Sequence, residues 1–253
     1  MVWGMVLPKG FGEYWPSGEF EFDAERRETG WYGRLTDHYL QQTPSEQKRL
    51  FQYPADPADA ARRYGTYPVS KFKKEPGWSR GEGGEPPLGE VFEHEVPRSF
   101  DLDKTYNVLA SLIKLNDKII AVDDKLKEII QHREPKTHEF FPFEMRMRKG
   151  QIYAKKYYIL RVCQYYEAFS RENTSEASLR IRPAYGGAPE LIRLNHTKEA
   201  LNGLAMDKSV FGGAHLWRDR TFEEELTCFS DELVADIKHA GLRLPKHFTM
   251  REV

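Results

Sequence analysis

Cysteine is scarce in this chain. There are two in 253 residues, Cys163 and Cys228, each inside its own apolar run. Two thiols cannot staple a chain of this length, so a disulfide scaffold is excluded and both read as reduced core residues. Long hydrophobic runs are missing as well: no stretch approaches the ~20 apolar residues a membrane-crossing helix needs. Charge of one sign is not in excess either, with 38 Lys and Arg against 39 Asp and Glu and a formal net charge of −1. So balanced a chain generates no global field to steer nucleic acid or an anionic membrane, and neither is expected as a direct partner. The first ten residues, Met-Val-Trp-Gly-Met-Val-Leu-Pro-Lys-Gly, have no basic start and no full hydrophobic segment, so the expected compartment is the cytoplasm.

Motifs that carry chemistry are also thin. Gly81-Glu82-Gly83-Gly84 lacks the Lys-Ser/Thr that completes a phosphate-binding loop, and Phe211-Gly212-Gly213-Ala214-His215 precedes an expected strand rather than a helix. Both read as turns. No Gly-x-Ser-x-Gly elbow occurs, and neither cysteine has cationic surroundings. Of the eight histidines, only His132 and His138 fall near each other, and no cysteine or carboxylate joins them at a metal-ligand spacing. No metal or cofactor is expected. His94 lies between Glu93 and Glu95; strand alternation would turn it away from both carboxylates. His215-Leu-Trp-Arg218-Asp219 is the most distinctive short motif. A small hydrolase or nucleotide-modifying enzyme would use His215 as base and Asp219 as its orienter. Four residues apart on a strand, the two sit about 13 Å from each other, beyond direct contact.

What the chain does have is a pattern stated twice. Residues 120–143 and 227–250 align without a gap: Asp124 falls on Asp231, Leu126 on Leu233, Ile130 on Ile237, His132 on His239 and Phe141 on Phe248. Each copy reads as a short apolar strand, a helix-starting residue (Asp123 or Ser230), an amphipathic helix and a second apolar strand. Acidic residues at each helix start suit the positive end of the helix dipole, and Gly241 suits the close of the second helix. Further strands are expected over 91–96, 151–166, 179–182, 190–195 and 214–218, and a helix over 106–113. Because strands outnumber helices without alternating with them, the class is α+β, with mixed or antiparallel sheets.

Residues 1–86 differ in texture, being rich in Gly, Pro and aromatics such as Trp3, Phe11, Trp15, Trp31 and Tyr32. They read as an extension or small domain before an α+β domain over 87–253. Short strands are expected near Glu19–Asp23 and one or two helices between Ser45 and Tyr64, interrupted by Pro54 and Pro57. The Gly- and Pro-dense stretch 73–89 reads as a linker or mobile loop.

Three blocks carry a family resemblance. They are Lys118–Ile130 with Phe140-Phe-Pro-Phe143; Tyr157–Ala168; and Gly213-Ala-His-Leu-Trp-Arg-Asp219 with Cys228-Phe-Ser-Asp-Glu-Leu233 and His239-Ala-Gly-Leu242. Together they resemble the bacterial polymorphic-toxin immunity proteins of immunity family eleven, over about residues 88–253. Asp123 stands where a Ser would be more typical and keeps the capping role. The resemblance implies a cytoplasmic, non-enzymatic protein that binds and blocks a cognate toxin. Such toxins are often nucleases, including HNH-type enzymes, delivered between bacteria by contact-dependent or type VI secretion. It brings no catalytic residues. Trp78, Arg80, Glu82 and Glu85 form the expected contact, since they join an aromatic anchor to carboxylates that could imitate phosphates.

Overall fold

A computed structural model describes residues 1–23, 28–51, 56–73, 89–182, 191–224 and 226–253. Two six-stranded sheets organise them. The first runs in the order β10 (Tyr165–Tyr166), β14 (Leu216–Asp219), β15 (Leu226–Ser230), β1 (Val2–Met5), β16 (His247–Glu252), β13 (Ala205–Met206). The second runs β2 (Gly18–Phe20), β5 (Ser99–Leu102), β8 (Glu139–Arg146), β9 (Tyr157–Arg161), β7 (Ile120–Asp123), β6 (Leu112–Lys114). Two small pairs stand beside them, β3 (Phe22–Asp23) with β4 (Glu28–Thr29) and β11 (Leu179–Arg182) with β12 (Leu191–Leu194). The helices are α1 (Gly30–Leu40), α2 (Pro44–Leu50), α3 (Pro57–Phe72), α4 (Asp124–Arg133), α5 (Lys198–Asn202), α6 (Lys208–Phe211) and α7 (Asp231–His239). The class is α+β, as the sequence pattern indicates.

The repeated segments fold as β7–α4–β8 and β15–α7–β16. Each helix starts on the expected cap: the Asp123 carboxylate accepts from the Leu126 N–H at 3.1 Å, and the Ser230 hydroxyl accepts from the Leu233 N–H at 3.1 Å. Gly241 ends α7 at φ 65°, a conformation that suits a residue without Cβ. In neither copy do the two strands touch, because an antiparallel strand separates them. That strand is β9 in the first copy and β1 in the second.

Register shows that the duplication runs further than the sequence repeat. Ile159 pairs with Ala121 and Phe141; at the matching place, Gly4 pairs with Cys228 and Phe248. Leu112 of β6 faces Val122, and Leu216 of β14 faces Phe229. Outside β8 lies β5, parallel to it with Ser99 beside Glu144; outside β16 lies β13, parallel to it with Ala205 beside Arg251. Five strands and a helix are therefore present twice. Side chains agree with this equivalence. Trp3 donates through Nε1 to Asp231 at 2.9 Å, and Lys238 lies 4.2 Å over its ring. At the matching place the Tyr158 hydroxyl bonds to Asp124, and Lys127 lies 3.8 Å over that ring.

The copies differ in where the central strand comes from. In the first it follows in the chain, β9 after β8. In the second it is β1, far ahead of its neighbours in the chain, with the Met1 nitrogen 3.1 Å from the Glu252 carboxylate. The central position is tight at Gly4, where an added Cβ would sit 2.6 Å from Leu201 Cδ2 and 2.9 Å from Met250 Sδ.

One core lies between the copies, with Leu126, Ile130, Val122 and Leu160 of the first packed near Leu233, Ile237, Phe229 and Met5 of the second. Burying the four helix side chains alone stabilises this contact by about 6–12 kcal/mol relative to leaving them in water. Arg133 of α4 and Asp236 of α7 tie the helices at 2.5 Å. A second core packs Trp31 and Leu35 of α1 and Tyr64 and Phe72 of α3 with Phe100, Ile113, Tyr157 and Ile159 of the second sheet. Both sheets thus draw on residues 1–86, the first through β1 and the second through β2.

Several local expectations change. Residues 91–96 are not a strand: Glu93–Glu95 form a 3₁₀ turn, fixed by the Phe92 N–H donating to the Glu95 carboxylate at 2.9 Å. Residues 106–113 are not a helix, because distant acceptors take their N–H groups. Leu109 donates to the Tyr153 hydroxyl at 2.8 Å and Ala110 to the Glu13 carbonyl at 3.0 Å. The aromatic run 151–166 is two strands, β9 and β10, in different sheets. Helix α1 falls ahead of the helices expected between Ser45 and Tyr64. Two helices do occupy 44–72, but Pro57 begins one rather than breaking it. Its missing N–H is harmless at the first turn, and Asp56 caps the helix through the Ala58 and Asp59 N–H groups. Pro54 lies outside the described residues.

Candidate interaction surface

The polar residues that a chemical reading would choose are built into the backbone. His215 and Asp219 bracket β14 and do not meet. His215 Nδ1 pairs with the Ser230 hydroxyl at 2.8 Å, the same hydroxyl that caps α7. Asp219 is fully buried and accepts from the backbone N–H groups of Ala168, Phe169 and Thr221 at 2.8, 3.1 and 3.0 Å. Burial pushes its pKa up to about 6 against the pull of those three donors. It pins the segment after β10 to the end of β14. The turn at Gly212, with φ 55°, closes α6 ahead of that strand.

Glu134, one residue past α4, is a polar link between the copies. Its Oε1 accepts from the His215 N–H at 2.7 Å and Gln164 Nε2 at 2.6 Å, and its Oε2 accepts from the Leu216 N–H at 3.0 Å and pairs with His138 Nε2 at 2.8 Å. The other copy does the reciprocal job with a carbonyl: the Ser111 and Leu112 N–H groups, which precede and open β6, donate to the Arg243 carbonyl after α7. Glu134 is a structural carboxylate that sequence reading missed, because its partners lie 30 to 82 residues away, His138 excepted.

A third polar group is buried in the layer of α1 and α3. Lys71 lies on α3 with its side chain 6% exposed. Its ammonium reaches both oxygens of the fully buried Glu95 at 2.6 Å and lies 4.6 Å over the Phe92 ring. Glu95 also accepts from the Tyr64 hydroxyl at 3.0 Å, and that hydroxyl meets His94 Nε2 at 2.7 Å. An unpaired carboxylate at this depth would be costly; Lys71 and the added donors offset its desolvation. His94 stacks on His38 at 3.8 Å. Burial above all, then the charges of His38, Lys71 and Arg34, push its pKa down to about 4, so it is neutral at pH 7. The 3₁₀ turn, not strand alternation, sets which way His94 and Glu95 point.

This group stands where the chain leaves and re-enters the described structure. Lys73 closes α3, and Gly89 is held through its carbonyl by Arg161 Nη2 at 2.6 Å. Trp78, Arg80, Glu82 and Glu85 belong to the interval between them and lie outside the described residues, as does Gly81-Glu-Gly-Gly. Among the described residues, no three His, Cys, Asp or Glu side chains converge as metal ligands, and no helix is long and apolar enough to cross a membrane.

Residues 36–249 fit the model of the Immunity protein family (Imm11). No curated protein matches the chain.

Proposed function

The chain belongs to this immunity protein family, and from that premise we propose that it neutralises a cognate toxin, a nuclease of the HNH type, by covering it rather than by chemistry. The observation that carries this reading is where the polar side chains of the most distinctive motifs go. His215, Asp219 and Glu134 bond to backbone groups or capping residues of the fold itself, which leaves recognition to the exterior. Stoichiometric inhibition needs shape and charge at a surface, supplied by a few well-packed anchors. Trp78 with Arg80, Glu82 and Glu85 is the proposed contact, the tryptophan as anchor and the carboxylates in the place of substrate phosphates. The setting is the cytoplasm of a cell exposed to toxin delivered through type VI secretion.

The test is co-expression with the toxin encoded beside this chain. Survival of the host and a 1:1 complex with the toxin are expected. Neither rescue nor binding would end the reading, and full affinity after deletion of residues 76–86 would end only the assignment of the contact.

A further inference from the structure

The hairpin β11–β12 walls a groove of about 640 Å³ that plays no part in the sites above. Arg180 and Arg193 stand directly opposite each other in the hairpin register, so both side chains leave from one face, and both line the groove. Two guanidinium groups side by side disfavour the ladder unless an anion separates them. One is answered within the protein: Arg193 donates through Nη2 to Glu223 at 2.6 Å. Glu224 is already shared between Lys118 and His196, each at 3.2 Å. Arg180 is exposed and has no ion pair among the described residues, and the same holds for Lys9, a second cation of the lining. His196 also lines the groove, and its buried Nδ1 has no hydrogen-bond partner. Buried Leu194 and Ala200 supply the apolar lining.

We infer that this groove receives an acidic segment of the partner protein, with one Asp or Glu carboxylate held by Arg180 and Lys9 and an apolar neighbour against Leu194 and Ala200. The identification of that partner as the toxin rests on the neutralisation reading above. A guanidinium suits this role, since its planar fork takes a carboxylate through two parallel hydrogen bonds. A nucleic-acid strand fits worse, because Glu199, Glu223 and Glu224 share the same lining and repel a run of phosphates, whereas the segment proposed brings a single carboxylate.

The probe is a fluorescein-labelled octapeptide of Leu and Ser with one central Glu (the Glu–Leu peptide), titrated into the full chain at low salt. The same peptide with Lys in that place (the Lys–Leu peptide), inorganic phosphate and a short oligonucleotide are run beside it. The Glu–Leu peptide is expected to bind and the Lys–Leu peptide not to. Arg180→Glu and Lys9→Glu, both at exposed positions, should each weaken binding at least tenfold, and should weaken capture of catalytically inactivated toxin by a similar factor. Equal binding of the two peptides, or indifference to Arg180→Glu, overturns the groove. Competition by phosphate or the oligonucleotide as strong as by unlabelled peptide overturns the carboxylate assignment. Toxin that binds normally to Arg180→Glu overturns the role of the groove in that complex while leaving neutralisation standing. Failure of the unmodified chain to bind toxin overturns neutralisation, and the peptide titration still decides the groove.

Discussion

Replacing Glu134 by Gln tests the polar link between the two copies with a change of a single atom. Each carboxylate oxygen of Glu134 faces two nitrogens, Oε1 the His215 N–H and Gln164 Nε2, Oε2 the Leu216 N–H and His138 Nε2. An amide in either orientation therefore turns an NH₂ toward at least one N–H donor and deprives it of its acceptor. Breaking a buried charge-assisted cluster in this way should cost about 3–5 kcal/mol. For a chain of this size, the melting temperature should fall by about 6–20 °C. The pH dependence has a definite sign. Burial raises the Glu134 pKa, but the hydrogen bonds from His138, His215 and Gln164 outweigh it and hold it below its usual 4.5. The stability contributed by the carboxylate is thus fully present above that usual value and lost as pH falls through the lower, folded value. Urea unfolding of the unmodified chain and Glu134→Gln at pH 7, and at steps down to pH 3, should show a gap that narrows in the acid range. A gap under about 1 kcal/mol at pH 7, or one that does not change with pH, would refute the reasoning.

Three further outcomes follow from the fold. A permuted chain with Val253 joined to Met1 by a short Gly/Ser linker and opened between Gly83 and Gly84 should fold with nearly unchanged melting, whereas deleting residues 1–7 should abolish soluble expression; circular dichroism distinguishes them. Lys71→Met should destabilise by about 3–5 kcal/mol, because it strands the Glu95 charge, and adding Glu95→Leu should recover most of the loss; a double variant as unstable as the single one would contradict this in chemical unfolding. The His94 ring signals should stay those of neutral imidazole from pH 7 down to about pH 5 in a nuclear magnetic resonance titration, since its pKa is pushed down to about 4. A depressed histidine withholds stability as pH falls below its unfolded value, so acid should loosen the α1–α3 layer; titration of His94 near its ordinary 6.5 would refute the stacked arrangement.

The parts of this fold that were legible in the sequence are those written locally. Asp123 and Ser230 cap their helices, Leu126 and Leu233 face the core, and Gly241 ends α7, each within reach of a few residues. The role of Val2–Met5 was not legible, because its partners are Ser230, Phe229 and Cys228 on one side and Met250 to His247 on the other. A strand of four residues has no periodicity that names them. Glu93-His94-Glu95 misled for a related reason: a three-residue alternation suits a strand or a 3₁₀ turn, and the choice was made by the Phe92 N–H and the ammonium of Lys71. In the sequence Arg180 and Arg193 are two separate cations; the hairpin register sets them side by side.

The ribosome makes β1 long before β15 and β16, yet β1 lies between those two strands in one sheet. During synthesis β1 emerges with neither partner available, and it cannot be enclosed until β16 has left the exit tunnel. A chain terminated ahead of β16 would leave one edge of β1 open, so the second copy closes only after nearly all of its residues have been made.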